Sequence, residues 1–232
     1  MDGLRRRGVL ITRPGNAADT TAARVAALGL VPVVAPFLAV EMRALAEPPL
    51  ADAVLITSGN ALAGLPASLR GLPLLAVGDA TARRAREHGF GHVESAGGDA
   101  AALAGLAVRV LPAGARVLLA VGEGQGAALA RALRAGGLTV QRRATYAAVP
   151  VTQFPVAAAE ALEAGRLRAA LFLSAETAQA FARLLPPALA PHLAAVDALA
   201  IGEPAADALR LLPWRRVRVS ASPTLDGTLA LL

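Results

Sequence analysis

A single tyrosine, a set of strand-to-helix junctions and scattered arginines are the residues of this chain best able to do chemistry. Tyr146, in RRATYAAVP, is the only phenol among 232 residues. A phenol with a pKa of about 10 stays protonated at neutral pH, donates a hydrogen bond and can act as a weak general acid. The junctions read LITR-PGN, LITS-GNA, AVGD-ATA, AVGE-GQG, FLS-AET and AIGE-PAA. Each sets small or polar residues where a strand hands over to a helix. The first N–H groups of a helix, reinforced by its dipole, hold carboxylates or phosphates. Ser58 and Ser174 also suit plain N-caps there, and the glycines plain turns. The pattern favours gripping an anion at several points over nucleophilic attack.

Absences narrow the chemistry. There is no cysteine, so disulfides, thiolate nucleophiles and thiolate-bound metals are excluded. All the basic residues are arginine, which removes lysine Schiff bases and the lysine of a phosphate-binding P-loop. His88, His92 and His192 lack metal-ligand spacing, so no metal is expected, and no serine sits in a nucleophile elbow. GEGQGA (Gly122 to Ala127) fits a dinucleotide-binding turn in form, with Gln141, Arg142 and Arg143 where an NADP phosphate would sit. In a chain with 22 glycines that match is weak. The net charge of +6 suits an anionic partner. With aromatics at 3% there is little to stack on bases, so a multiply anionic small molecule is expected rather than nucleic acid.

The elements that position these residues recur. VLITRPGNAADTTAARVAALGLVPV and VLLAVGEGQGAALARALRAGGLTV share one order: apolar run, glycine turn, helix pattern, glycine, apolar run. AVLITSGNAL answers to ALFLSAETAQAF, LLAVGDATARRAREHGF to ALAIGEPAADALRLL, and VESAGGDAAALAGL to VRVSASPTLDGTLALL. The chain is therefore an internal duplication of strand–helix units, whose continuous apolar strands imply parallel sheets covered on both faces. Function in such sheets collects at the carboxyl ends of the strands. Hydrophobic residues make up 55% and the mean hydropathy is +0.52, which excludes disorder. The longest apolar run, LGLVPVVAPFLAV, is broken by Pro32 and Pro36 and is too short to span a bilayer. The N-terminus carries Arg5, Arg6 and Arg7 without an apolar segment behind them, so no targeting signal is expected and the location is read as cytoplasmic.

Taken in order, VLITRP, LITSGNAL, AVGDATARRAREHGF, VGEGQGAALARAL, ATYAAVP, FLSAET, AIGEPAADAL and ASPTLDGTLALL resemble the uroporphyrinogen-III synthase family across nearly the whole chain. The resemblance implies an α/β fold of two lobes, each a parallel sheet flanked by helices, joined by a two-stranded β connector. Lobe 1 would take 1–35 with 152–232, lobe 2 would take 43–141, and 36–42 with 142–151 would form the connector. It implies a cofactor-free enzyme of tetrapyrrole biosynthesis acting on hydroxymethylbilane, an anionic, octacarboxylate linear tetrapyrrole. The reaction expels a terminal hydroxyl, inverts the last pyrrole ring and closes the macrocycle. Unassisted closure leaves the ring uninverted, so catalysis is chiefly control of conformation.

Tyr146 is then the expected catalytic residue, hydrogen-bonding the leaving oxygen from the hinge side of an interlobe cleft. Substrate binding is expected at Arg13, Pro14, Ser58, Gly59, Asn60, Gly78, Thr81, Gly122, Ser174 and Ala175. Family members often carry Pro-Thr-Thr or similar after the glycine of the seventh unit, whereas this chain has Gly202-Glu203-Pro204-Ala205-Ala206. A hydroxyl contact is missing there, and Glu203 would repel a carboxylate. No cofactor, nucleic acid or membrane is expected; a monomer in transient contact with the preceding pathway enzyme is. The alternatives are a non-catalytic bilobal sensor of an anionic small molecule, or an NADP-binding enzyme built on GEGQGA.

Overall fold

The computed structural model describes residues 7–232; Arg5 and Arg6, read above for targeting, lie outside them. In chain order the elements begin β1 (Gly8–Ile11), α1 (Asn16–Ala27), β2 (Val31–Val34), β3 (Leu38–Met42), β4 (Ala53–Ile56), β5 (Leu74–Ala76), α2 (Asp79–Glu87), β6 (Val93–Ser95) and α3 (Ala100–Val110). They continue with β7 (Arg116–Gly122), α4 (Ala127–Ala135), β8 (Thr139–Pro150), α5 (Val156–Glu163), β9 (Leu167–Phe172), α6 (Ala175–Leu184), β10 (Asp197–Ala200), α7 (Glu203–Leu209), β11 (Arg216–Val219) and α8 (Leu225–Leu229).

The chain divides into two units. One runs up to Ala39 and resumes at Val149; the other is Val40–Ala148. The first unit's sheet has the order β2-β1-β9-β10-β11, parallel at every pairing. The second has β3-β8-β7-β4-β5-β6, parallel from β8 to β6. Between β3 and β8, Arg43 N–H donates to Thr145 O, and just beyond the pair Val151 N–H donates to Phe37 O. Residue numbers rise on one strand as they fall on the other, so this pair is antiparallel. Apart from β3, the two sheets repeat one strand order, as a duplicated chain would. Each sheet holds the strand–helix–strand module from one half of the sequence and three further strands from the other half.

The sequence dictates the burial. Val9 and Ile11 face one core cluster and Leu10 another, while Leu55 and its neighbours Val54 and Ile56 divide the same way in the second sheet. Strands covered on both faces must be apolar at every position, which is why they read as unbroken runs. Phe37, Phe154, Phe172, Phe181 and Trp214 form a connected cluster of edge-on and tilted ring contacts in the first unit, with ring centroids 4.9–5.8 Å apart. No described helix is long and apolar enough to cross a membrane.

One junction departs from expectation. After LITS the chain forms a 3₁₀ helix, Gly59–Gly64, and not an α-helix. Glycines at both ends and Pro66 close behind remove the propensity and the N–H donor that a longer helix needs.

In the first unit Asp197, at the start of β10, takes both forks of the Arg215 guanidinium, Nε to Oδ1 at 2.7 Å and Nη2 to Oδ2 at 2.6 Å. The Arg215 hydrogen bonds hold the Asp197 carboxyl below its ordinary value; burial opposes this, and the charges of Arg215, Arg216 and Arg218 add to it. A depressed carboxyl stabilises the fold above its unfolded pKa of about 3.9, and that contribution is lost as pH falls through the folded value. Arg215 is half exposed, so solvent screens the pair. Asp197→Asn is expected to cost about 1 kcal/mol at pH 7 and progressively less as pH falls below about 4, read from urea midpoints across that range.

Candidate active site

Parallel strands send all their carboxyl ends to one edge of a sheet, and the candidate residues gather there on each unit. In the second unit, neighbouring strands β8, β7, β4 and β5 carry in turn Tyr146, Gly122, Ser58 to Asn60, and Gly78 with Thr81. In the first unit, β1 and β9 are neighbours and lead into Arg13 and Pro14, and into Ser174 and Ala175.

Tyr146 owes its orientation to a register shift. β7 and β8 pair residue for residue up to Val121 and Ala144; the next pair is Gly122 with Tyr146, leaving Thr145 as an extra residue. Such a bulge breaks the alternation of faces and re-aims the side chains that follow it. Thr145, Tyr146 and Ala147 are accordingly buried in succession. The ring of Tyr146 packs into the core cluster with Leu62 and Ile56, at 6% exposure, so the residue serves the core as well as the strand tip. Its hydroxyl donates to Gln125 Oε1 at 3.2 Å. Burial pushes the phenol above its ordinary value, while the Ser58 side chain and the Gly122 backbone pull the other way. The group is thus kept protonated, as a donor must be. The absence of a side chain at Gly122 makes room: a Cβ there would stand 2.9 Å from both Gln125 Oε1 and Tyr146 Cε2.

The serines are caps. Ser58 Oγ accepts Asn60 N–H, and Ser174 Oγ accepts Thr177 N–H, both at 3.2 Å. Capping spends one acceptor on the backbone and leaves the other N–H groups at these helix starts outside the helical pattern. Gly78 is the extended N-cap of α2 without a side-chain cap of its own. Arg13, half buried, has neither an ion pair nor a hydrogen bond among the described residues, and burial lowers its pKa. Glu203, expected to repel carboxylates, is paired with Arg210 at the end of its own helix at 2.5 Å, which mutes that repulsion.

Gln125 escaped the sequence reading because it lay inside GEGQGA, where only the glycines drew notice. Its signal was being the sole long amide in that turn. Arg142, considered above for an NADP phosphate, instead donates to the Gln125 carbonyl at 2.5 Å, tying β8 to the loop after β7.

Two α/β units, each a mainly parallel sheet flanked by helices with the candidate residues at its strand tips, define the class of the protein. The profile of the uroporphyrinogen-III synthase HemD family matches residues 19–230, and the chain belongs to that family. It is similar in fold to the uroporphyrinogen-III synthetase of Helicobacter pylori, at 18% identity over 97% of each chain with a TM-score of 0.59. It also matches the uroporphyrinogen III synthase of Thermus thermophilus, at 25% identity over 96% of this chain and 95% of that one, with a TM-score of 0.41. No curated protein matches the chain. The activity is that of a uroporphyrinogen-III synthase, in tetrapyrrole biosynthesis, with hydroxymethylbilane as the substrate that family membership implies.

Proposed function

We propose that Tyr146 is the catalytic hydrogen-bond donor, and that Arg13, Pro14, Ser58, Gly59, Asn60, Gly78, Thr81, Gly122, Ser174 and Ala175 hold the carboxylates of hydroxymethylbilane. The observation that carries this reading is the one phenol at the bulge opposite Gly122, its hydroxyl bonded to Gln125 in the loop after β7 and kept protonated by burial. As the pyrrole nitrogen expels the terminal hydroxyl, the phenol hydrogen-bonds the departing oxygen and stabilises the charge that develops there. Backbone N–H groups and Arg13, unpaired among the described residues, grip the arms, so that the terminal ring can turn before the macrocycle closes. Few fixed charges are used, which keeps the carboxylate-rich product releasable.

In this reading lobe 1 is 1–35 with 152–232, lobe 2 is 43–141, and 36–42 with 142–151 connect them. The protein works as a cytoplasmic monomer that meets the preceding pathway enzyme transiently. The test is incubation with freshly made hydroxymethylbilane and separation of the product isomers. Type III product is expected; type I alone would mark a binding protein. Quenching of fluorescence on titration with NADP would instead favour a dinucleotide site at GEGQGA.

A further inference from the structure

Beside the Ser58–Asn60 tip lies a cavity of about 270 Å³ lined by Gly59, Leu62, Ala63, Arg84, Glu87 and His88. Arg84 and His88 stand one helical turn apart, on α2 and at its C-cap, and so share a face. Neither side chain has a hydrogen bond or ion pair with any described residue. Glu87 also lines the cavity, but its carboxylate faces Arg83 at 4.0 Å. The guanidinium of Arg84 lies across Gly59: a Cβ there would be 2.9 Å from Nη1 and 3.0 Å from Cδ. Only glycine lets the arginine stem rest flat on the strand tip, which pre-positions the charge and lowers the entropy lost on binding. The floor, Leu62 and Ala63, is apolar. A half-buried arginine and a histidine over an apolar floor match a short aliphatic arm ending in carboxylate. The volume lies below the roughly 300–1,000 Å³ that takes a whole ligand, so the cavity suits one substituent.

We infer that Arg84, with His88, forms a side-chain subsite that binds one carboxylate arm of the tetrapyrrole next to the Gly59 backbone. This rests on the proposed substrate class and adds a second fixed charge to a site otherwise built from backbone groups and Arg13. The subsite grips an arm and touches no reacting atom, so its loss is expected in KM and not in kcat.

The test compares the parent, Arg84→Gln and Gly59→Ala by type III kinetics and by fluorescence titration with uroporphyrin III, an octacarboxylate that does not turn over. Arg84→Gln is expected to raise KM and to weaken uroporphyrin III binding about tenfold, with kcat within about twofold and an unchanged melting temperature; Gly59→Ala, which also disturbs the backbone contact proposed at Gly59, is expected to weaken binding at least as much. Gly59→Ala acts by pushing the guanidinium aside, a displacement a flexible side chain tolerates. An Arg84→Gln protein that binds uroporphyrin III as tightly as the parent overturns the inference. If the parent makes no type III product yet loses affinity on Arg84→Gln, the subsite stands and the catalytic reading fails.

Discussion

Replacing Tyr146 by phenylalanine is expected to slow type III formation about 100-fold while leaving the protein folded. The ring stays, so its contacts with Leu62, Ile56 and Ala120 in the core stay too. What goes is the hydroxyl, with its 3.2 Å bond to Gln125 Oε1, a loss of about 1 kcal/mol in stability. Activity and stability should therefore separate. If the phenol only shaped a pocket, phenylalanine would fill the same space and the rate would hardly move. Burial raises the pKa of this group, so the donor form persists through neutral pH and fails only above about 10. An alkaline limb of the parent's rate in that range should vanish in the variant. Isomer-resolved kinetics from pH 6 to about 10.5, corrected for spontaneous type I closure, provide both readings. An unchanged type III rate in the phenylalanine variant removes Tyr146 from the mechanism.

Much of the fold was readable because its signals are local. Unbroken apolar runs such as VLLAV gave strands buried on both faces, glycines after Ala27 and Ala135 marked helix ends, and the order of units exposed the duplication. Parallel strands then bring Ser58, Gly122 and Tyr146 to one edge without further information. What stayed hidden depends on pairing between distant segments. VQRRATYAAV reads as plain alternation, and nothing in it announces that β7 skips Thr145. The α2 helix offers Arg83, Arg84 and Arg86; which of them lies over the strand tip depends on how the helix packs against the 3₁₀ segment after β4. Glu203 looked repulsive because Arg210 stands two turns along, at the far end of the same helix and outside the motif being read.

Of the described glycines, Gly64 has the nearest backbone atom to an added Cβ. A Cβ there would lie 2.4 Å from Thr145 O, 2.8 Å from Arg43 O and 2.8 Å from Thr145 Cβ. Two of those atoms are backbone, so no rotamer change relieves the clash. Gly64 O also accepts Leu45 N–H at 3.0 Å, and Thr145 O accepts Arg43 N–H at 2.9 Å, so the strands around it are tied in place. Thr145 is the extra residue of the bulge, wholly buried, with its hydroxyl unpartnered among the described residues. Pressure from an added methyl would fall on the residue that turns Tyr146. Gly64→Ala is expected to cost about 3 kcal/mol, the upper range for overpacking, and to lower the type III rate further than the stability loss alone explains. Gly71→Ala is the control: a Cβ there meets nothing within 4 Å, and its urea midpoint should match the parent's. If Gly64→Ala unfolds at the same urea concentration as Gly71→Ala, the close packing of the bulge against the 3₁₀ segment is not what holds the phenol.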